Sequence, residues 1–451
     1  MRSLQRTMPA SVGSCAAASG APIFALDTHM QPLLRCPSLA LALLLAGCGA
    51  ASAARHLDPQ LLWVDDNRAR IDAFLDEMAG SPQARRVAIF DWDNTVIKND
   101  VGDITTFWML RHDKVLQPEG GDWRTTNKYL TSAAADALAA ACGALASPGS
   151  ALPTSKPEGV ACVDEILAVY TEGATTAGDD AFAGWNHRTM EPAYAWTVQL
   201  QAGHRPADIQ GFAEAAITEA LAAEIGAEQT LGTTKLNAYV RIYDQMRDLI
   251  ATLQADGFEV WVLSASSQPV VEAFAARVDV PADRVVGVRA VIGDDGVLTR
   301  NLQGCGAVAD GTDELIPYIE GKRCWMNKII FGVDGPAAAA VQTNTADRPV
   351  FCAGDSDTDT SFLQDATGLK LVLNRNKKEL MCNAYHDVGG NWLVNPMFIA
   401  PKAELADGYA CSVDACVDAA GVGGPCRDER GGAIADQKDR TFCDDGVYCQ
   451  R

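Results

Sequence analysis

Three short apolar runs in the 451-residue sequence each end in a cluster of polar side chains. Val87-Ala88-Ile89-Phe90 opens into Asp91-Trp92-Asp93-Asn94-Thr95, residues 258–263 open into Ser264-Ala265-Ser266-Ser267, and residues 348–353 open into Gly354-Asp355-Ser356-Asp357-Thr358-Asp359. Carboxylates so gathered can attack an electrophile, pass protons and hold a hard divalent cation, and hydroxyls beside them can donate to an anion. Asp and Asn are poor strand formers. Their place directly after such runs marks turns at the carboxyl edge of a parallel sheet, where α/β folds gather functional groups.

The elements that must hold these turns can be read from the same pattern. Four consecutive apolar residues suit a strand buried on both faces. Residues 59–78 read as an amphipathic helix closed by Gly80 and Pro82. Residues 237–255 read as another, with Val240, Tyr243, Met246, Leu249, Ile250 and Leu253 on one stripe and Asp256-Gly257 as the stop. Pro269 starts a helix through Ala275, and Leu371-Val372-Leu373 is a further strand. This alternation of strand and helix predicts an α/β fold with a Rossmann-like parallel sheet core.

The order Asp-x-Asp-x-Thr, a strand-terminal Ser, a Lys and Gly-Asp-x-x-x-Asp resembles the haloacid dehalogenase superfamily, best in its phosphoserine phosphatase-like branch. The resemblance spans residues 87–400 and is loose over 100–235. It implies a phosphomonoester hydrolase dependent on Mg²⁺. A phosphate monoester is anionic and resists water, so a site for it needs a cation to cancel charge and a pre-aimed nucleophile. Asp91 is the implied nucleophile, ionised without a base and able to form an aspartyl-phosphate; Asp93 is the implied acid and base. Superfamily dehalogenases lack an acid at that second position and cation pumps carry Thr there, so Asp93 points to a phosphatase or phosphomutase. Implied metal ligands are the Asp91 carboxylate, the Asp93 backbone carbonyl and the Asp355 carboxylate, with Asp359 a ligand through water or an anchor. Asp357 is an extra carboxylate without an assigned role. Ser264 would donate to a phosphoryl oxygen and Thr95 would orient the loop. For the cation that balances these carboxylates, Lys322 at the start of a helix competes with Lys328, which lies nearer Asp355 in sequence. Residues 335–347 read as a loop insertion between that helix and the last motif.

Residues 100–235 are far too many for a βα loop and predict a helical cap inserted in the core. Within it Trp185, Glu191 and Trp196 could cage a quaternary ammonium group, which would resemble exported bacterial phosphorylcholine phosphatases. The expected partner is a small phosphorylated molecule, phosphoserine-like or phosphorylcholine-like. Rival readings are a phosphotransferase or phosphomutase of the same superfamily, and a surface-tethered binding protein without catalysis.

At 48% hydrophobic and 21% charged, the composition excludes a disordered or fibrous chain. Its 37 Lys and Arg against 58 Asp and Glu give a formal charge of −21, which excludes nucleic acid as the partner. Arg35, the short apolar run 39–46 and Leu45-Ala46-Gly47-Cys48 resemble a bacterial lipobox, with Met30 as an alternative start. The expectation is cleavage before Cys48 and acylation of its sulfur, so that lipid on Cys48 is the one membrane contact. Gly49 at the next position resembles outer-membrane sorting; the reading is a Gram-negative outer-membrane lipoprotein, or a periplasmic or cell-surface protein. Fourteen cysteines agree with export. With Cys15 and Cys36 removed and Cys48 acylated, eleven remain. Cys352 is expected to be the free, buried one, with pairs Cys142–Cys162, Cys305–Cys324 and Cys382–Cys411, and others among Cys416, Cys426, Cys443 and Cys449. The expected division is 1–47 signal, 48–99 N-terminal helix and first core strand, 100–235 cap, 236–401 remainder of the core, and 402–451 a small Cys-rich tail too poor in apolar residues to fold unstapled. No repeat or coiled-coil heptad specifies an oligomer.

Overall fold

The structure is a computed structural model that describes residues 54–81 and 85–441. The expected signal at 1–47, Cys48, Cys443 and Cys449 lie outside the described residues.

Strand β1 (Val87–Phe90) is buried along its whole length. Its residues alternate between two cores: Ala88 and Phe90 join one, Val87 and Ile89 the other. A strand covered on both faces is what an unbroken apolar run requires, and the sheet around it is parallel. In spatial order its six strands are β12 (Trp392–Pro396), β11 (Leu369–Asn374), β10 (Phe351–Gly354), β1, β6 (Glu259–Ser267) and β7 (Val285–Val288). Ala88 aligns with Phe351 and Val260, so the carboxyl ends of β10, β1 and β6 lie side by side. The three polar clusters are therefore brought to one edge by register alone.

Helices α1 (Asn67–Gly80), α7 (Asp244–Ala255), α8 (Gln268–Ala275), α9 (Glu320–Trp325), α10 (Thr360–Asp365) and α11 (Lys378–His386) belong with this sheet. Two helices start later than the sequence suggests. Residues 58–66 before α1 form two turns instead, with Val64 N–H donating to Asn395 Oδ1 (3.0 Å) and Asp65 in the left-handed region (φ 47°), a conformation that no helix continues through. Before α7 the chain forms a hairpin of β3 (Glu228–Leu231) and β4 (Thr234–Asn237), then β5 (Arg241–Ile242), which pairs with β2 (Ile97–Lys98). Tertiary pairing overrides the helical stripe there. Residues 335–347 carry two short helical turns, the first held by Asn327, which donates to Ala338 O and Ala340 O.

Between β2 and β5 come five helices, α2 (Val101–Arg111), α3 (Ser132–Cys142), α4 (Val160–Leu167), α5 (Pro192–Gln199) and α6 (Pro206–Ala222). A hairpin of β8 (Ala290–Ile292) and β9 (Leu298–Leu302), from the stretch assigned by sequence to the core, joins them: Leu298 N–H donates to His204 O (2.8 Å) and Gln199 to Arg300 O (2.8 Å). Near the C-terminus β13 (Cys416–Val417) and β14 (Gly423–Gly424) make a small hairpin. Disulfides join Cys142–Cys162, Cys305–Cys324, Cys382–Cys411 and Cys416–Cys426, and Cys352 is free and buried.

Candidate active site

Asp91 follows β1 directly, its N–H donating to Ala353 O of β10 (2.9 Å). Asn94 then turns the chain through the left-handed region (φ 62°), which Asn tolerates better than most residues. The turn brings the Thr95 hydroxyl to 3.2 Å from Asp91 Oδ2 and 2.7 Å from Asp355 Oδ1. After β10 the loop folds back tightly: a Cβ on Gly354 would stand 2.6 Å from the Cβ of Asp359, so only glycine fits. Asp359 Oδ2 accepts the backbone N–H groups of Asp355 (2.9 Å) and Ser356 (3.0 Å), closing that loop. Asp91, Asp355 and Asp359 are all buried, with carboxylate oxygens within 4.8 Å of one another.

A lysine reaches into this cluster. Lys322 of α9 is fully buried, its Nζ 2.6 Å from Asp91 Oδ1 and 2.6 Å from Asp359 Oδ1. Gly321 lets α9 start this close to the preceding loop, since a Cβ there would collide with Ile316 O. The rival Lys328 is turned away, donating to Gly304 O (2.8 Å) and lying over the Trp325 ring. Burial pushes the Asp91 pKa well up and the Asp359 charge adds to this, while Lys322 opposes it. Burial would lower the pKa of Lys322, but Asp359 and Asp91 outweigh it and hold the ammonium charged. Burial also raises Asp93 well above the carboxylate range, helped by Asp100 and opposed by donors from Val101 N–H (2.7 Å) and Ser266 Oγ (2.8 Å). Three crowded carboxylates with a single buried ammonium are a hard-oxygen donor set that suits a cation such as Mg²⁺.

The sequence profile of the haloacid dehalogenase-like hydrolases matches residues 172–364, a stretch containing Ser264, Lys322, Asp355 and Asp359. Residues 172–364 thus carry a haloacid dehalogenase-like hydrolase domain. A conserved protein of unknown function from Anaerococcus prevotii shares the fold of this hydrolase at 18% identity, with a TM-score of 0.54 over 74% of this chain and 93% of that one. A protein of unknown function from Bordetella pertussis is similar at 17% identity over 70% of this chain and 99% of its own, with a TM-score of 0.40. A phosphoserine phosphatase solved as a phospho-aspartyl intermediate analogue is 15% identical over 64% of this chain and 86% of its own, with a TM-score of 0.30. No curated protein sequence matches the chain.

The hydrolase has a pocket over Asp91 and Asp93, and its lining departs from the sequence reading at two places. Because β6 runs on to Ser267, Ser264 lies inside the strand, fully buried, its hydroxyl 3.4 Å from Asp93 Oδ2; Ser266, which lines the pocket, donates to the same oxygen at 2.8 Å. The expected cage of Trp185, Glu191 and Trp196 does not line it either. Trp196 is fully buried and donates to Thr126 Oγ1 (2.9 Å), Trp185 packs on His187, and Glu191 caps α5 by accepting from Ala193 N–H (3.4 Å). On a helix, positions two apart face nearly opposite ways, so burying Trp196 turns Tyr194 outward to the pocket. Asp357 accepts from Leu380 N–H (2.9 Å) at the start of α11, and burial lifts its pKa to about 6.

Sequence reasoning missed Asp100, Tyr170, Tyr194, Ser266 and Arg375, which line the pocket, and Asp103, which stands behind it. Asp100 caps α2, accepting from Asp103 N–H (3.0 Å). Asp103 accepts the Tyr170 hydroxyl at 2.5 Å; burial, then the Asp100 charge, raise its pKa to about 7. Arg375 Nη1 lies 2.5 Å from Asp355 Oδ2. It follows β11 as Asp91 follows β1, so the strand-end rule that found Asp91 would have found it too.

Proposed function

We propose that this hydrolase is an exported, Mg²⁺-dependent phosphomonoesterase of the phosphoserine phosphatase-like branch, working through a phosphoaspartyl group on Asp91. The observation that carries the reading is the position of Asp91, bonded to the Lys322 ammonium, beside the carboxylates of Asp355 and Asp359, and lining the same pocket as Asp93. An Asp91 oxygen attacks phosphorus while Asp93, whose pKa burial raises, gives its proton to the departing alkoxide. The Asp93 carboxylate so formed takes a proton from a water that attacks the phosphoaspartyl phosphorus, breaking the bond to Asp91 and restoring both residues. Lys322 holds the attacking carboxylate in place and cancels part of the charge that develops. Asp91, Asp355, Asp359 and the Asp93 backbone carbonyl would hold Mg²⁺, which when bound offsets carboxylate and phosphoryl charge.

The leaving group we propose is small and cationic. Asp100 and the tyrosines Tyr170 and Tyr194 line the pocket, a set that favours an ammonium over a neutral alcohol. Four disulfides support an oxidising compartment, and with it cleavage before Cys48 and a lipid anchor there. We take 100–235 with the β8–β9 hairpin (290–302) as the cap, 48–99 and the rest of 236–401 as the core, and 402–451 as the tail.

Phosphate release from an aryl phosphate tests the chemistry: the wild type should turn over with Mg²⁺ and Asp91→Asn should not, and undiminished release by Asp91→Asn would sink the reading. A panel of phosphorylcholine, phosphoethanolamine, phosphoserine and glycerol phosphate tests the substrate class. The cationic esters should lead glycerol phosphate by about tenfold or more in kcat/KM, a preference that Asp100→Asn should erase. Equal rates across the panel would refute a cationic leaving group.

A further inference from the structure

All six carboxylate oxygens of Asp91, Asp355 and Asp359 already have a protein donor nearby. Lys322 Nζ serves one oxygen each of Asp91 and Asp359, backbone N–H groups serve the other oxygen of Asp359, and Thr95 stands beside Asp91 Oδ2 and Asp355 Oδ1. Arg375 serves Asp355 Oδ2 at 2.5 Å. These donors are not equally able to yield. Lys322 is sealed in, with 0% of its side chain exposed, and the Thr95 hydroxyl is neutral and buried, so neither charge nor mobility distinguishes it. The Arg375 side chain keeps 25% of its surface open and lines the pocket together with Asp100, a carboxylate other than Asp355. Its guanidinium is also a permanent positive charge, so a divalent cation sharing Asp355 with it meets like-charge repulsion that no protonation change can relieve.

We propose that Arg375 sets the cation affinity of the site by competing with the metal for Asp355 Oδ2. This rests on the reading of Asp355 as a metal ligand and adds that the guanidinium on it works against the ion. A guanidinium that merely oriented Asp355 would have the opposite sign, since its removal would loosen the ligand and weaken binding.

Calorimetric titration of the purified chain with Mg²⁺ alone, after treatment with chelator, separates these. Wild type, Arg375→Gln and Asp355→Asn are compared, with thermal unfolding recorded for each with and without Mg²⁺. The expected result is a dissociation constant roughly tenfold lower for Arg375→Gln than for wild type, the scale of removing one neighbouring like charge. It should come with a larger Mg²⁺-induced rise in the unfolding temperature. Asp355→Asn should lose binding. Unchanged or weaker binding by Arg375→Gln, while Asp355→Asn fails to bind, overturns the competition and leaves the metal site standing; a lower unfolding temperature at unchanged affinity counts the same way. Binding that survives Asp355→Asn undiminished, or no binding by the wild type, overturns both.

Discussion

At the scale of single residues the site works by giving neighbouring carboxylates different partners. Asp91 touches a buried ammonium, whereas Asp93 touches two serine hydroxyls and a backbone N–H beside further acids, so one is held for attack and the other for proton transfer. Asp93→Asn keeps the size and loses the proton; kcat should fall by about 10²- to 10⁴-fold, read by steady-state kinetics on an aryl phosphate. Lys322→Met would leave Asp91 and Asp359 buried beside each other without their cation. Besides losing turnover, it should cost about 3–5 kcal/mol in urea unfolding. Asp103 carries a pH signature. Its native pKa of about 7 lies above the ordinary 3.8, so the folded chain holds a proton that the unfolded chain has released between those values. The stability this contributes is complete below about pH 4, declines as pH rises and is gone above about pH 7, an effect of at most ~4 kcal/mol. Asp103→Asn should therefore gain on the wild type between pH 5 and pH 8 in urea midpoint, and parallel midpoints would refute the assignment. Asp91, Asp355 and Lys322 were legible in sequence because each stands at the end of a strand or the start of a helix. Tyr170, Tyr194 and Asp103 were not, because which face of a cap helix turns to the pocket is settled by packing between helices.

At the scale of elements, β1, β6 and β10 were legible because strands buried on both faces carry short apolar runs, here 87–90, 260–263 and 350–353. Their lengths were less so. The run 258–263 stops being apolar at Ser264, yet β6 continues four residues further because Ser267 still pairs with Val288 of β7. That extension is what draws Ser264 into the sheet and leaves Ser266 at the pocket. The loop after β10 carries the tightest constraint. Gly354 lies under Asp359, and a methyl group there would meet its Cβ, Cγ and Oδ2 at 2.6–2.8 Å. Gly354→Ala should push Asp359 off Lys322 and off the N–H groups of Asp355 and Ser356, costing about 1–3 kcal/mol and most of the activity. Its circular dichroism should stay native, since β10 itself pairs through backbone groups that the methyl does not touch. Full activity in Gly354→Ala would mean that the loop can open without loss, contrary to the geometry.

At the scale of the whole molecule, the segment that leads into α5 is tied to three parts of the chain by one side chain. Arg188 donates to Glu379 of α11 (2.7 Å), to Glu320 of α9 (3.3 Å) and to Val417 O of β13 (3.2 Å), while His187 N–H donates to Ala419 O in the Cys416–Cys426 hairpin (3.1 Å). None of these links was legible in sequence, because a guanidinium on a loop has no periodic neighbour to predict its partners. The pairs Cys142–Cys162, Cys305–Cys324 and Cys382–Cys411 were, since each joins residues 29 or fewer apart in a stretch that needs a staple, whereas spacing left open which tail cysteine Cys416 would take. Cutting the hairpin staple with Cys416→Ser and Cys426→Ser should cost about 2–3 kcal/mol, as expected for so short a loop. Arg188 itself is the sharper probe of how the tail and the pocket communicate. The Glu379 side chain is only 6% exposed, so Arg188→Ala leaves a nearly buried carboxylate without its partner and should destabilise the fold by about 3 kcal/mol. It also frees the segment that sets Tyr194, on α5, against the pocket. If that tie matters for recognition, KM for a cationic phosphomonoester should rise several-fold while kcat for an unselective aryl phosphate holds, because Asp91, Asp93 and Lys322 are reached through other contacts. A uniform loss on both substrates would instead mean that Arg188 acts only through the start of α9, by way of Glu320.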